Sequence, residues 1–324
     1  MPNIRVVHTT TYRYAQPVRF TSHRLMLRPR DSHDLLVRDA VLTLTPPNGI
    51  ARWSHDVFSN SICTLDFGDS ESDTLRIVST LEIEHFPSGL GLPEATIAPS
   101  AETYPFRYDA QEFPDLARSL ERQYPDPDRL IDTWAAAFVP DETRIRTLDL
   151  LTAMTEAIQR DFTYAARDAE GTNNPLETLR SKSGACRDFA LLMMEALRSL
   201  GFAARFVSGY LYDANLEQAE DQMVGGGATH AWVSVYLPGA GWVEFDPTNG
   251  LAAGRNLIRV CTARTPEQAV PVAGGFLGAL TDFIGLEVNV EVTLHGTRSH
   301  ASSAQVCEQN MSDIGDLPAS PTAP

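Results

Sequence analysis

The amino-acid sequence predicts an α+β protein with two parts, an N-terminal antiparallel β-sandwich and an α+β core. The first part of the chain holds short segments rich in β-branched residues, and turn signals such as Pro46-Pro47-Asn48-Gly49 separate them. Helical patterns come next and strand patterns follow them, which is an order typical of α+β domains. At 324 residues the chain is long enough for two or more domains.

The domain boundaries follow from changes in composition. We expect the sandwich to cover residues 1–90, a linker with short helices to cover 91–140, and the core to cover 141–295. The linker prediction rests on the prolines and glycines that cluster where the strand patterns end. Residues 296–324 are rich in Ser, Ala and Pro, so we expect a disordered tail there.

The strands of the sandwich are predicted over residues 4–10, 23–28, 41–45, 62–67 and 74–86. The last of these alternates most regularly, with an apolar face formed by Leu75, Ile77, Leu81 and Ile83. Polar side chains between them point to the opposite face, which is the pattern of a half-buried strand. Cys63 lies within an apolar strand pattern, so we expect it to be a buried structural thiol.

Helices open the core. Short helical patterns cover residues 115–124 and 128–138, and a longer one covers 142–161. Pro175 is suited to the first turn of another helix. A helix predicted over 184–200 carries one apolar stripe formed by Phe189, Leu192, Met193, Ala196, Leu197 and Leu200. Ser183 is expected to cap its start and Gly201 to end it. Strand patterns then follow over 203–212, 229–237, 241–246, 257–262 and 286–294.

Net charge excludes several classes of partner. The chain has 26 Lys and Arg against 42 Asp and Glu, a net charge of −16, and no basic block. An acidic surface repels nucleic-acid phosphates and anionic lipid, so we expect neither nucleic acid nor a membrane as a partner. No apolar run is long enough for a transmembrane helix, and the first residues lack the apolar stretch of a signal peptide. We therefore expect a cytoplasmic protein.

Cysteine and histidine spacing give no sign of a metal site. The four cysteines, at positions 63, 186, 261 and 307, form no CxxC pair, and no HExxH motif is present. We expect a reduced, disulfide-free protein that uses neither a metal nor another cofactor.

Three residues suggest an activated thiol. Cys186 comes directly before the long apolar stripe, in the first turn of its predicted helix, where unpaired N–H groups and the helix dipole favour a thiolate. His230 begins one predicted strand and Asp246 ends the next, and a turn at Pro238-Gly239 joins the two strands. Folding that hairpin brings both side chains to one end. There His230 can take the thiol proton while Asp246 orients the imidazole.

Amide chemistry at such a thiol needs donors for a developing oxyanion. The backbone N–H of Cys186 is expected to be the first donor, because it points out of the helix start. The second donor stays open, with Asn173, Asn174 and Tyr164 as candidates.

These motifs resemble a known family. Ser183-Gly184-Ala185-Cys186-Arg187-Asp188-Phe189-Ala190, His230-Ala231-Trp232 and Asp246-Pro247-Thr248 occur in order, and together they resemble the transglutaminase-like superfamily, which has a papain-like core. The segments 12–18 and 25–30 are similar to the β-rich region that precedes this core in bacterial members. The resemblance implies that Cys186 is the nucleophile and that His230 and Asp246 complete the triad. Arg187 departs from the glutamine that is frequent there.

The resemblance leaves the reaction open, because the family contains crosslinking enzymes, peptidases, amidases and inactive members. We expect a thioester on Cys186, formed from a peptide or protein amide. Hydrolysis is favoured over acyl transfer, since a crosslinker without visible control would modify the proteins around it. The alternatives are a protein-glutamine acyltransferase and an interaction protein that has lost catalysis.

Overall fold

The computed structural model describes residues 3–86, 96–140, 144–166, 171–212, 228–252 and 256–295. Its strands, in chain order, are β1 Asn3–Phe20, β2 His23–Leu25, β3 Leu35–Thr45, β4 Ile50–His55, β5 Ser61–Asp66, β6 Glu71–His85, β7 Thr103–Tyr104, β8 Ile145–Arg146, β9 Thr163–Tyr164, β10 Ser183–Gly184, β11 Ala204–Leu211, β12 His230–Leu237, β13 Gly241–Asp246, β14 Leu251–Ala252, β15 Leu257–Ala263, β16 Val272–Ala273, β17 Phe276–Leu277 and β18 Phe283–His295. Its α-helices are α1 Phe113–Leu120, α2 Leu130–Ala136, α3 Thr147–Asp161, α4 Pro175–Ser181 and α5 Cys186–Ser199. The predicted tail, 296–324, lies outside the described residues, as does part of the predicted linker.

Two antiparallel sheets form the predicted sandwich. One has the order β17-β1-β6-β3, with β18 also paired to β1, and the other has the order β16-β2-β5-β4. The alternation predicted for β6 is confirmed, because its apolar face is at most 1% exposed at Leu75, Ile77, Leu81 and Ile83. Cys63 on β5 is buried between the sheets, and burial raises the pKa of its thiol to about 11. The thiol is therefore protonated and structural, as predicted.

The last strand joins the sandwich rather than the core. We expected the strand over 286–294 to belong to the core, but β18 runs antiparallel to β1 from Asn3↔His295 to Tyr14↔Phe283. Its Val290 packs with Ile4 and Val6 of β1. The alternating pattern of a strand fixes which face is buried but not which sheet edge it joins, so the assignment to the core is corrected.

The core is built around α5. A five-stranded sheet of order β14-β13-β12-β11-β15, the central sheet, packs its apolar face on this helix. The predicted stripe of α5 is buried from Phe189 to Leu197, and helices α2, α3 and α4 cover much of the rest of the helix. A helix buried on nearly all sides is a rigid platform for a group at its first turn.

The predictions for the two ends of α5 had different outcomes. Gly201 ends it as predicted, with φ of +86°, and the Phe202 N–H bonds the Leu197 carbonyl at 3.0 Å. At the start, however, Ser183 is not the cap, because it lies in β10 and pairs with Thr163. Asp188 supplies the carboxylate there instead, accepting the Ala185 N–H at 2.8 Å.

The sandwich also packs against the central sheet. Tyr210 of β11 and Tyr212 just after that strand meet two histidines of the sandwich. Tyr210 Oη lies 3.2 Å from His8 Nδ1, and Tyr212 Oη lies 3.0 Å from His85 Nδ1. Arg259 of β15 bridges the two parts as well, pairing with Asp34 of the sandwich at 3.2 Å. The sandwich and the central sheet are thus joined by buried side chains as well as by an ion pair.

Acid should loosen this contact. Burial lowers the pKa of His8 from 6.5 to about 4, so the folded protein binds the proton less readily than the unfolded chain does. Stability is therefore lost as pH falls below the unfolded pKa towards 4, and the loss between pH 7 and pH 5 should be about 2 kcal/mol. Urea unfolding at the two pH values measures it. His8→Gln should flatten the dependence by that amount, whereas the exposed control His55→Gln should leave it unchanged; equal slopes in both variants would contradict the assignment.

Within the residues that the structure describes, no helix is long and apolar enough to cross a membrane.

Candidate active site

Cys186 is held at the junction of a short strand and α5. Gly184 pairs with Tyr164 in the parallel β9–β10 contact, Ala185 is extended, and Cys186 is the first residue of the helix, with 8% of its surface exposed. Gly184 is required here, because a Cβ on it would lie 2.8 Å from the Asp188 Cβ. The turn into the helix is tight, and it leaves the first N–H groups of α5 without intrahelical acceptors.

The hairpin brings His230 and Asp246 together. Strands β12 and β13 are antiparallel with Val233 opposite Phe245, which places His230 and Asp246 on the same face at the open end. His230 Nε2 lies 2.8 Å from Asp246 Oδ2, and both side chains are fully buried. The pairing predicted from the two sequence motifs is present in the structure.

Cys186 lies beside the imidazole of this pair. Burial alone would lower the pKa of His230, but the charge and hydrogen bond of Asp246, with the Cys186 side chain, outweigh it and raise the pKa to about 10. Burial likewise opposes ionisation of Asp246, and the His230 charge prevails and lowers the pKa of that carboxyl. A carboxylate, an imidazolium and a thiol are therefore arranged in sequence, which is the arrangement that favours a thiolate.

The Asp246 carboxylate accepts hydrogen bonds from two residues that were not predicted as part of the site. Oδ1 accepts the Thr248 N–H at 3.0 Å, and Oδ2 accepts Asn249 Nδ2 at 2.8 Å. The first bond is the aspartate turn that an Asp-Pro dipeptide favours, so the sequence contained a signal for it. Nothing in the sequence pattern singled out Asn249, whose position depends on the turn after β13.

Trp232 shields the imidazole. Its indole lies 6.0 Å from the His230 ring, centroid to centroid, at an interplanar angle of 29°, and it is fully buried. Gly209 on the neighbouring strand makes room for the indole, because a Cβ there would lie 2.7 Å from it and 2.1 Å from the Ile258 carbonyl oxygen. The Trp232 motif was recognised in the sequence, but its part in burying the histidine was not.

The three candidates for the second oxyanion donor occupy different places. Asn174 is exposed and its side chain caps α4, accepting the Leu176 N–H at 2.9 Å. Asn173 donates its backbone N–H to Asp188 Oδ1 at 2.7 Å. Tyr164 is half-buried in β9, with its ring 6.5 Å from the Phe189 ring.

No cluster of three or more His, Cys, Asp or Glu side chains suited to a metal ion is found in the described ranges of the chain.

Replacing Asp246 with asparagine should make thiol reactivity depend on pH. In the wild type the raised pKa of His230 keeps the imidazolium from weakly acid pH to about pH 9, so alkylation of Cys186 by iodoacetamide should change little between pH 6 and 8. Asparagine lacks the carboxylate charge that keeps the pKa of His230 high against the effect of burial. The rate of Cys186 alkylation at pH 6 should therefore fall about tenfold or more. Mass spectrometry identifies the labelled cysteine.

The exposed Asp161→Asn is the control for this variant and should label like the wild type. Labelling of Asp246→Asn that follows the wild type at every pH would exclude Asp246 from thiol activation.

The same ion pair predicts how the stability of the fold depends on pH. The contribution of His230 to stability is complete below pH 6.5 and is lost as pH rises through about 10. The contribution of Asp246 is lost as pH falls below 3.8 through its lowered folded pKa.

Comparison with known families gives two matches. Residues 134–247 match the transglutaminase-like superfamily, and residues 4–84 match the bacterial transglutaminase-like N-terminal region. The first range contains all three residues of the candidate triad. The second ends within β6 and covers most of the sandwich strands.

Individual proteins are similar over different lengths. A Mycobacterium tuberculosis protein is 30% identical over 305 residues, which cover 92% of this chain and 95% of that one. A protein-glutamine gamma-glutamyltransferase of Pseudomonas aeruginosa is 33% identical over 90 residues, only 28% of this chain and 13% of that one. Among solved structures, a candidate cysteine protease from Cytophaga hutchinsonii has a TM-score of 0.66 at 19% identity and 92% coverage of both chains. This last similarity shows the fold, a β-sandwich with a transglutaminase-like core.

Proposed function

Because this chain belongs to the transglutaminase-like superfamily, we propose that it is a thiol enzyme that opens amide bonds through a thioester on Cys186. The observation that carries the proposal is the buried His230–Asp246 pair beside a cysteine at a helix start. No structural need explains an ion pair sealed from solvent at this point, whereas nucleophile activation does.

The proposed reaction has two halves. The Cys186 thiolate attacks the carbonyl carbon, and the carbonyl oxygen takes the negative charge next to the helix start. The C–N bond then breaks as His230 gives its proton to the leaving amine or ammonia. Water attacking the thioester releases an acid, with His230 accepting the proton of the water; an amine attacking it instead gives a new amide.

We favour hydrolysis of a peptide or protein amide, and we place the protein in a reducing compartment such as the cytoplasm. The described cysteines, Cys63, Cys186 and Cys261, are free thiols, which supports a reducing environment. Acyl transfer is the second candidate, supported by the short match to a protein-glutamine gamma-glutamyltransferase. Both reactions share the first half and differ only in the acceptor.

One incubation separates these outcomes. The protein is mixed with a library of glutamine-containing peptides and a fluorescent primary amine, and the products are identified by mass spectrometry. Free acid or cleaved peptide without amine incorporation supports hydrolysis, and amine incorporation supports transfer. Either activity should vanish in Cys186→Ala. It should persist in Cys63→Ala, because the Cys63 side chain lies in the sandwich. Neither product with any peptide would count against amide chemistry and favour an interaction protein.

A further inference from the structure

Strand β18 forms a long edge of the larger sandwich sheet. Within the residues that the structure describes, it pairs with β1 alone, so its outer side presents backbone N–H and C=O groups with no strand beside them. Residues 285–295 pair with β1 without a bulge, and they include no proline and no lysine. Proline, lysine and bulges are the features that protect a sheet edge left in water. The edge of β18 therefore resembles one that another strand covers.

The opposite edge of the same sheet is built differently. Strand β3 forms that edge, and a bulge between Val37 and Asp39 interrupts its pairing with β6. Arg38 and Asp39, at the bulge, are both exposed charged residues. A bulge and exposed charges discourage a further strand from adding to an edge. The contrast indicates that this sheet is protected at β3 and open to a partner at β18.

One face of β18 is apolar along the whole paired segment. The even-numbered residues from Leu286 to Leu294 share a face, and each of them is Leu or Val. Val290 is buried in the sandwich, whereas the exposed fractions are 37% at Leu286, 40% at Val288 and 39% at Leu294. A row of half-exposed apolar side chains beside an open edge favours contact with another apolar strand.

The acidic side chains on the other face of β18 are already engaged within the chain. Glu287 accepts a hydrogen bond from Arg13 of β1 at 3.3 Å, and Glu291 accepts one from Asn289 at 3.1 Å. A basic partner would have to compete with these groups for the carboxylates. The attraction left over comes from the backbone edge and the apolar face, so a strand of similar composition fits best.

The apolar face of β18 is complementary to itself in one antiparallel register. When Val290 lies opposite the same residue of a second copy, Val288 lies opposite Val292. In that register Leu286 lies opposite Leu294, so the half-exposed side chains all have apolar partners. A symmetry axis two residues earlier would carry Leu294 past the start of the other strand.

The polar face fits the same register. Asn289 lies opposite Glu291, and Glu287 lies opposite Thr293, so no two carboxylates meet directly. An axis moved by one residue, to Asn289, would place Glu287 opposite Glu291 twice. Like charges directly opposite each other destabilise a strand pair. The charges of β18 therefore permit self-pairing about Val290 and oppose the neighbouring register.

We propose that two copies of this chain pair antiparallel through β18, about a two-fold axis at Val290, and join their sandwiches into one continuous sheet. Each copy contributes the same edge, as a two-fold interface requires. The proposal concerns the sandwich and does not depend on the reaction of Cys186.

Sedimentation equilibrium of the full chain tests this pairing. The wild type should be a dimer, with twice the mass of one chain. Val288→Lys places an ammonium group against Val292 of the other copy and should raise the dissociation constant at least about 10²-fold. Val41→Lys is the matched control, because Val41 is 49% exposed on β3 at the opposite edge of the sheet. It should dimerise like the wild type.

Thr293 tests the register without changing the apolar face. It is exposed and lies opposite Glu287 in the proposed pairing, and the two-fold axis repeats this contact. Thr293→Arg should therefore lower the dissociation constant about tenfold, and Thr293→Glu should raise it by a similar factor. Circular dichroism checks that each variant is folded. If Val288→Lys fails to fold, the opposite effects of the two Thr293 variants still decide.

Several results would overturn the proposal. A wild type that stays monomeric up to about 0.1 mM would do so, because the edges would then not associate measurably. A dimer that folded Val288→Lys leaves intact, or that Val41→Lys weakens as much, would place the interface elsewhere. Equal effects of Thr293→Arg and Thr293→Glu would exclude Glu287 of the other copy as the opposite residue, and with it the register about Val290.

Discussion

Replacing His230 with alanine should slow turnover of any amide substrate by roughly 10³-fold to 10⁴-fold. The variant loses the imidazolium that stabilises the thiolate and the acid that protonates the leaving amine. It also leaves Asp246 fully buried without its ion-pair partner. Iodoacetamide labelling of Cys186 at pH 6 should slow in parallel, because the lost charge affects the thiol before any substrate binds. Steady-state turnover and labelling rates measure the two effects separately.

Loss of folding must be separated from loss of chemistry in this experiment. The exposed His33→Ala controls for histidine removal and should keep wild-type rates. His230→Gln preserves volume and can still donate to Asp246, so it should fold and still turn over at least roughly 10²-fold more slowly than the wild type. A folded His230→Gln with wild-type labelling and turnover would remove His230 from the mechanism.

Removing Arg198 should cost about 3–5 kcal/mol of unfolding free energy. Its side chain is fully buried on α5 and pairs with buried Glu195 at 2.9 Å. It also donates to the carbonyl oxygens of Ser119, Ala204 and Arg264 at 3.1, 2.9 and 2.8 Å. Arg198→Ala removes this donor from the three carbonyl oxygens, while Glu195 keeps, among the described residues, only Arg122 as an ion-pair partner, at 3.0 Å. Urea unfolding followed by circular dichroism gives the loss.

An arginine on the surface is the matched control for Arg198. Arg160 pairs with Asp161 on the exposed side of α3 at 2.8 Å, so Arg160→Ala should cost less than about 1 kcal/mol. Arg198→Lys keeps the charge but loses the planar fork that reaches four acceptors, and it should be intermediate. If Arg198→Ala costs no more than Arg160→Ala, the buried network does not hold the helix in place.

Most of the site was predictable because its signals are local. The stripe on α5, the glycine at its end and the turn between β12 and β13 each act within a few residues, and together they bring Cys186, His230 and Asp246 to neighbouring places. Asn249 could not be predicted, because its bond to Asp246 depends on the path of a turn. The Ser183 cap failed for a related reason, since pairing with β9 took that residue into a strand.

The fold was predictable to the level of its two parts and no further. Period-two alternation identified the face of β6 that is buried, because a strand buried on one face carries apolar residues at every second position. Strand β18 shows comparable alternation, yet its partner lies at the other end of the chain. Which edge accepts a strand is decided by the edges that the rest of the fold leaves open, and no window of sequence contains that information.

The pairing of β18 with β1 also sets an order of assembly. Strand β1 leaves the ribosome before its partner β18, which follows only after the whole core has been synthesised. During that interval the long edge of β1 is open to other chains. Contacts between strands so far apart in the sequence make folding slow, because a large loop must close before they form. A protein shortened before residue 283 would keep its triad and expose this edge permanently, so its failure would take the form of aggregation rather than of damaged chemistry.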